Sequence, residues 1–555
     1  MRLYQSLQKN IKSWIAEDLP FSVTTLFATF SLIVALRFIM EQFLFEFHTK
    51  SPFTLVLWYL GEWHIFLLVV LSVSALLYTI LKIPKTQSMV LALFGLLVIL
   101  TPPIIDNAIG NLLDRPLWSF YLFESPVNLI LAYFHFFGGD PTMGITYGVR
   151  FEVALISIAV FLFGLFIGRG FLRSLLALLA VYTALFVASS LPSFYSYAQA
   201  LLMRSFDFSA AGIAGLFLSP TGVLGTATPS AVMSLQQNLL PWLWWTNTLL
   251  VLALWYWWSR STFTAWWVHT RLPQILYHAG LLCTGALLAV YWGGGLVLWA
   301  TLGTTDVLAF GVLILGVVCA WLSSIAVNDL ADTRIDALTN SSRPTVTHAL
   351  SNQTLQGLGW VFGVLSVLMV GSVYPFGALL MLGYHTLATL YSCPPLRLKR
   401  YPVVATTLAS TASLLILLLG YFVVSGDTDL AAFPPLLLLY LWGAYAVALT
   451  IKDFKDIAGD ATDGVYTLPV LLGEKWAKAV IGTALFVIFA CTPLVLGINT
   501  LVLPSVFAGA LAYCLVTYSH RGAKYFHYYR LAHYFLVLVL VYGLVIAYQL
   551  HTLSQ

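Results

Sequence analysis

Charge is what this sequence has least of. Only 9% of its 555 residues are Asp, Glu, Lys or Arg, while 60% are hydrophobic. A soluble domain carries roughly 25% charged residues, so this chain cannot clothe a water-exposed surface, and its composition is that of a polytopic membrane protein. The net charge of +4 is small and its cations are dispersed, which excludes a nucleic-acid-binding surface. Cysteine is scarce too. Cys283, Cys319, Cys393, Cys491 and Cys514 show no CxxC spacing and mostly lie in apolar runs. That pattern argues against a disulfide framework or a zinc site and for thiols acting as small hydrophobes. Arg2, Lys9 and Lys12 precede an apolar run as in a signal peptide, but no A-x-A-like cleavage site follows, so a retained first helix is expected. No low-complexity tract and no strong internal repeat is visible.

What is present is a series of apolar segments. A spanning helix needs about 20 mostly apolar residues. Nine such segments are expected after residue 270: 274–296, 305–328, 355–373, 375–391, 403–424, 431–450, 477–496, 500–518 and 531–550. Six more precede them: 22–44, 54–80, 88–105, 148–167, 174–191 and 239–258. Two stretches, 118–138 and 198–218, are apolar but broken by Glu124, Pro126, Arg204 and Asp207. They read as re-entrant or interfacial helices, or as a pair of further spans. The expected organisation is all-α, with an N-terminal membrane domain of roughly six helices (1–262) and a nine-helix bundle (263–555). In the bundle the Lys and Arg residues alternate between loops. Arg271, Arg334, Arg343, Arg397, Lys399, Arg400, Lys452, Lys455, Lys475, Lys478, Arg521, Lys524 and Arg530 fall on one side, and the alternate loops have none. The positive-inside rule makes that side cytoplasmic and predicts a multi-pass protein of the inner, cytoplasmic membrane.

Two acidic clusters lie on that side, each where an apolar run ends. The first is Asn328-Asp329-Leu330-Ala331-Asp332-Thr333-Arg334-Ile335-Asp336, and the second Lys452-Asp453-Phe454-Lys455-Asp456-Ile457-Ala458-Gly459-Asp460. Ionisable groups at membrane depth are costly and mark functional sites by default. Asn328, Asp332 and Asp336 are spaced i, i+4, i+8 and share one helix face. Asp456 and Asp460 are also i, i+4, with Asp453 one turn earlier. Two such faces meeting across a bundle can hold Mg²⁺ or Mn²⁺ through oxygen ligands together with a diphosphate. Arg343, Arg397, Lys399, Lys452 and Lys455 would add stabilisation of the leaving charge. One such cluster could be a solvated helix end. Two, on one side with basic partners, argue for a site.

At this point the residues match a family. Asn328-Asp329-x-x-Asp332-x-x-x-Asp336 followed by Arg343-Pro344 resembles the first motif of the UbiA superfamily of intramembrane prenyltransferases. Lys452-Asp453-x-x-Asp456-x-x-x-Asp460-x-x-x-Gly464, with Thr467-Leu468-Pro469, is similar to its second motif. Tyr391-Ser392-Cys393-Pro394-Pro395-Leu396-Arg397-Leu398-Lys399-Arg400 is similar to the loop signature of some members. The resemblance covers roughly 270–555. It implies Mg²⁺-dependent transfer of an isoprenoid chain from a polyprenyl diphosphate to an acceptor, often aromatic, in a groove open to the bilayer. On that basis Asn328, Asp332, Asp336, Asp456 and Asp460 are expected to ligate metal. Asp332, Asp336, Asp456, Asp460, Arg343 and Lys399 are expected to carry catalysis. Asn328, Asp329, Arg343, Tyr391, Arg397, Lys399, Lys452, Asp453 and Lys455 are expected to contact substrate. His348 stands where the family usually has Gly. Ala461 stands where a basic residue often follows the second motif, and Asp463 adds negative charge nearby.

Three other readings compete, one of them that residues 1–260 carry a separate activity or act as a scaffold. Phosphoribosyl transfer to a polyprenyl phosphate would share the first motif but is expected to lack the Asp456/Asp460 pair. An ion-coupled transporter would place its carboxylates near the bilayer midplane, often within inverted repeats, whereas these lie at helix ends. Residues 1–262 match no recognised family. There Arg37 and Glu41 are expected to pair at i, i+4, and Glu62, His64, Arg150 and Glu152 to pair or to lie at an interface. Trp242, Trp244, Trp245, Trp255, Tyr256, Trp257 and Trp258 form an aromatic belt.

Overall fold

The computed structural model describes residues 2–17, 22–45, 51–114, 118–119, 122–123, 125–139, 143–208, 210–224, 232–292, 301–333, 336, 343, 345–347, 349–426, 428–462, 464–520 and 527–554. Helices dominate. The described strands are one parallel pair, Trp118–Ser119 with Met143–Gly144. Among the described residues, thirteen helices are long and apolar enough to cross a membrane, and the protein is an integral, multi-pass membrane protein. They correspond to thirteen of the fifteen expected segments. The other two expected segments are helical as well, Val232–Trp258 and Pro375–Ser392. Their apolar character is diluted by Gln236, Gln237, Asn238 and Asn247 in one, and by Tyr384, His385 and Thr386 in the other.

Among the described residues, neither ambiguous stretch holds a helix long enough to span. The first contains the helix Pro126–Phe134 and the second the helix Ala210–Leu216, after Leu191–Met203 ends at Arg204 in the left-handed region. Nine residues rise only about 14 Å, against a hydrocarbon core of about 30 Å. Pro126 and Arg204 set helix limits there, as proline favours a first turn. Two prolines also break the third span: Lys85–Leu96 passes through a 3-10 turn, Leu97–Leu100, before restarting with Pro102 and Pro103 in its first turn.

The chain divides into two compact units, residues 1–260 with 303–309, and residues 261–302 with 310–555. In the first unit Arg37 pairs with Glu41 at 2.7 Å and also with Glu62 at 2.6 Å. His64 is fully buried against Asn247, with 3.1 Å between His64 Nδ1 and Asn247 Nδ2. Asp306 is fully buried in this unit and accepts hydrogen bonds from Ser219 and Thr221.

In the second unit the helix Leu272–Trp292 packs against Pro402–Ser425. Their closest approach is made by two glycines. A Cβ on Gly285 would lie 1.8 Å from the Leu417 carbonyl oxygen, and one on Gly420 2.0 Å from that of Leu282. Small residues let apolar helices approach backbone to backbone, where dispersion and Cα–H···O contacts replace the hydrophobic driving force that lipid does not supply. Around this pair pack Pro375–Ser392, Pro435–Ala448 and, beyond the latter, Leu468–Leu496. The same tight contact sets the distance between two walls of the cavity described next.

Candidate active site

The first acidic cluster continues a helix. Thr304–Ala331 is followed by Asp332 N–H donating to the Asn328 carbonyl and Asp336 N–H to that of Asp332, both at 2.9 Å. The i, i+4, i+8 face is therefore real. The second cluster changes pitch. Leu449–Lys455 is a 3-10 helix and Ile457–Thr462 an α-helix, with Asp456 at their junction. Asp456 N–H donates to the Asp453 carbonyl and Asp460 N–H to that of Asp456. An i, i+3 step in 3-10 geometry followed by an i, i+4 step in α geometry keeps all three carboxylates on one side. Gly464, at φ +68, takes the left-handed conformation that ends this turn. Tyr466 N–H then donates to the Arg400 carbonyl at 3.3 Å, tying the second motif to the Tyr391–Arg400 loop.

Both clusters line one cavity of about 340 Å³. Among the described residues its wall holds five carboxylates (Asp332, Asp336, Asp453, Asp456 and Asp460), five cations (Arg271, Arg343, Lys399, Lys452 and Lys455), and Asn328 and Tyr391. The charges balance because buried charge is tolerated only when paired. Arg397 Nη2 donates to Asp332 at 2.9 Å and Lys399 pairs with its other oxygen. Arg343 pairs with Asp336. Lys455 and Asp456 are 3.7 Å apart. Lys452 lies 5.4 Å from the Tyr391 ring centroid and 3.3 Å from its hydroxyl.

Two of the residues expected to contact substrate do not line the cavity. Asp329 is fully buried and does not line the cavity. It anchors two cations, Arg271 at 2.6 and 2.8 Å and Arg343 at 3.0 Å, and His269 Nδ1 lies 3.5 Å from it. A residue one position after Asn328 is turned about 100° around the helix, away from the i, i+4, i+8 face. Arg397 is also absent from the wall. It adopts φ +40, a left-handed conformation that non-glycine residues hold only when their surroundings fix it, and its ion pair with Asp332 does so. His348, Pro344, Arg334 and Asp463 lie outside the described residues.

Burial tunes the two clusters. It pushes the Asp336 carboxyl up to about 6, against the pull of Arg343 and with help from Asp329 and Asp332. Asp460 is pushed up to about 7 by burial and by Asp453 and Asp456, against Lys452 and Lys399. Burial lowers Lys399, with Asp332 opposing, and brings His269 down to about 4 despite Asp329. The His269–Asp329 contact is therefore one with a neutral imidazole at pH 7.

Sequence reasoning missed Arg271 and His269 as partners of Asp329. Arg271 had been read only as a loop cation, and no spacing links it to a motif 58 residues later. Reasoning from the sequence also missed the inner wall, which Gln274, Tyr277, His278, Trp321, Ser324 and Tyr384 contribute. Polar residues at i, i+3 or i+4 within the apolar runs Leu272–Trp292 and Thr304–Ala331 are the signal that could have found it.

The family model for the UbiA prenyltransferase family matches residues 286–538. Protoheme IX farnesyltransferase 2 of Shewanella loihica is 32% identical over 35% of this chain and 62% of its own length. Chlorophyll synthase of Avena sativa is 31% identical over 27% of this chain and 42% of its own. The chain thus spans about half the length of the curated relatives it matches. Among solved structures, a UbiA homolog from Archaeoglobus fulgidus bound to GPP and Mg²⁺ aligns over 49% of this chain and 99% of its own, at 18% identity and TM-score 0.35. Residues 286–538, a little under half of the chain, thus match the UbiA prenyltransferase family.

Proposed function

We propose that this protein transfers an isoprenoid chain from a polyprenyl diphosphate to an acceptor within the membrane, aided by Mg²⁺ or Mn²⁺. The observation that carries the reading is the shared cavity, in which both acidic clusters face five cations. The donor set suits a hard divalent ion. It is rich in carboxylate oxygen, and Asp456 Oδ1 is buried without a hydrogen-bond partner. Asp456 and Asp460 would hold the ion, with Asp453 beside them. Among the described residues no three His, Cys, Asp or Glu side chains are gathered closely enough to hold it. Asp332 and Asp336 would join by exchanging their ion pairs with Lys399 and Arg343. The bound ion would neutralise diphosphate charge.

The protein's own groups would do the rest. Arg343, Lys399, Lys452 and Lys455 would donate to diphosphate oxygens as the C–O bond breaks and its electron pair passes to the leaving group. Removing one well-placed donor of developing charge typically costs roughly 10²–10³ in rate. The Tyr391 ring, already facing a cation, would face the allylic cation. The acceptor would then attack that carbon and lose a proton. From the Lys/Arg bias we infer that the cavity opens at the cytoplasmic face, with 263–555 as the transferase module and 1–262 modulating it.

The test is lipid mass spectrometry of membranes containing the full-length protein or its Asp332→Asn variant. A prenylated species present with the first and absent with the second identifies acceptor and chain together. Identical lipid profiles, with no prenyl diphosphate consumed by the purified protein, would sink the reading.

A further inference from the structure

The first unit holds a cavity of its own, of about 260 Å³. It lies between the helix Pro52–Ile80, the broken third span and the helix Tyr147–Phe166. The break itself forms part of the wall. Pro102 and Pro103 have no N–H to continue the ladder, and Val98 and Ile99 of the 3-10 turn before them line the cavity. Gly95 lines it too, and a Cβ built there would meet nothing within 4 Å. Along Tyr147–Phe166 the lining runs from Glu152 to Phe163, about 16 Å of rise. Leu155 on that wall is 39% exposed, so the cavity opens on the flank of a spanning helix. Among the described residues every lining side chain except that of Glu152 is apolar.

Glu152 is the anomaly. It is 7% exposed, yet among the described residues its carboxylate makes no hydrogen bond and no ion pair. Arg37 and Glu41 act on it only through space. Arg37 is held in contact elsewhere, by Glu41 at 2.7 Å and Glu62 at 2.6 Å. Arg150 lies about 200° around the helix from Glu152 and donates to the carbonyls of Ile145 and Gly138. Asp106 feels the same two charges, but it is satisfied by the Thr146 hydroxyl at 2.7 Å and the Gly148 N–H at 2.8 Å. Glu41, Glu62 and Glu152 therefore share the Arg37 guanidinium inside spanning helices. Buried charge persists only when it is paired or coordinated, and ionisable groups at this depth mark ligand or ion sites by default.

We propose that this cavity binds a lipid-soluble amine, its ammonium head on Glu152 and its hydrocarbon tail along the trough toward Phe163. An alkylammonium supplies what the site lacks: a positive charge, several N–H donors and apolar surface to cover the remaining wall. A bare divalent ion does not fit. Mg²⁺ and Ca²⁺ take about six or more oxygen ligands, and among the described residues Glu152 is the one oxygen-bearing side chain on the wall. An anionic amphiphile would add its charge to an existing excess of carboxylates. Every residue invoked lies within 1–260, so the proposal stands independently of the transferase reading.

The experiment uses the full-length protein in phosphatidylcholine nanodiscs and two radiolabelled probes of equal tail length, decylamine and decanol, with empty nanodiscs as the blank. Decylamine should occupy a single saturable site, about tenfold or more tighter than decanol. Glu152→Gln keeps the shape and removes the charge. It should weaken decylamine about tenfold or more, as expected when one partner of a buried charge pair is lost, while decanol moves less than about twofold. General unfolding would not produce that split. Gly95→Leu places a side chain in the open space and should weaken both probes about fivefold or more, which keeps the test decisive should Glu152→Gln fail to fold. Binding no greater than the blank, decanol bound as tightly as decylamine, or decylamine affinity unmoved in either folded variant overturns the proposal. Glu152 is then a protonated structural carboxyl.

Discussion

Asp332 is the residue on which stability and the proposed chemistry can be separated. It is 7% exposed, and its partners Arg397 and Lys399 are 9% and 8% exposed. At the 2.9 Å separation from Arg397 and an effective dielectric of about 20, the attraction is about 6 kcal/mol before desolvation is counted. Much of that offsets the cost of bringing the charges out of water, so the pair itself contributes little net stability. Removing only the carboxylate is different. Asp332→Ala leaves two buried cations facing each other and should destabilise the fold by about 3–5 kcal/mol. Asp332→Asn keeps the shape and one acceptor oxygen, so it should destabilise less. Both should lower prenyl transfer at least about 10²-fold, the scale of losing one preorganised electrostatic group. The combination Asp332→Ala with Lys399→Met should recover part of the stability lost in Asp332→Ala, because it removes one of the orphaned cations, but none of the activity. Thermal unfolding in detergent gives the first quantity and transfer from labelled geranyl diphosphate in liposomes the second. An Asp332→Asn protein with more than half of wild-type turnover would refute the proposed role. A double variant no more stable than Asp332→Ala would refute the ion-pair account.

Four further outcomes are expected. Chelation of divalent cations should abolish transfer, and Asp456→Asn and Asp460→Asn should each weaken Mg²⁺ binding at least tenfold by calorimetry; turnover in excess chelator contradicts this. Divalent-ion affinity should fall as the pH drops from about 7 through 6, since Asp460 and Asp336, raised to about 7 and about 6, must lose protons to bind a cation. By linkage, Asp460 and Asp336 each bind their proton more tightly in the metal-free fold than in the unfolded chain, so their contribution to stability is lost as pH rises from about 4 to 7, while His269, lowered to about 4, contributes in the opposite direction; the difference in metal-free melting temperature between wild type and Asp460→Asn should therefore change across that window, and a constant difference would be inconsistent. Gly285→Ala should cost about 1–3 kcal/mol or more through overpacking, because its new Cβ meets the Leu417 carbonyl, whereas Gly443→Ala, with open space around it, should be nearly neutral in the same melt. Finally, a 263–555 fragment leaves Asp306 without Ser219 and Thr221, so it should melt lower than the same fragment carrying Asp306→Asn; the reverse order would show that this buried carboxylate is satisfied another way.

The sequence by itself determined the membrane class, almost every spanning helix and the two acidic faces. Apolar length and the 3.6-residue period are local properties, so a chain short of charge displays them openly. The Asn328/Asp332/Asp336 face and the return of Asp453, Asp456 and Asp460 to one side also depend only on neighbouring residues. Local pattern did not decide between span and short helix at 118–138 and 198–218, where Pro126 begins one helix and a left-handed Arg204 ends another inside apolar stretches. Tertiary structure alone decided partnership. Asp329 and Asp332 belong to one motif, yet Asp329 stands off the Asn328/Asp332/Asp336 face and goes to Arg271, while Asp332 goes to Arg397, Lys399 and the cavity. Tertiary structure alone also assembled the inner wall of the cavity. Gln274, His278, Ser324 and Tyr384 are unremarkable singly in their helices. They become a site because helices far apart in sequence are packed around one cavity, held at backbone contact by Gly285 and Gly420.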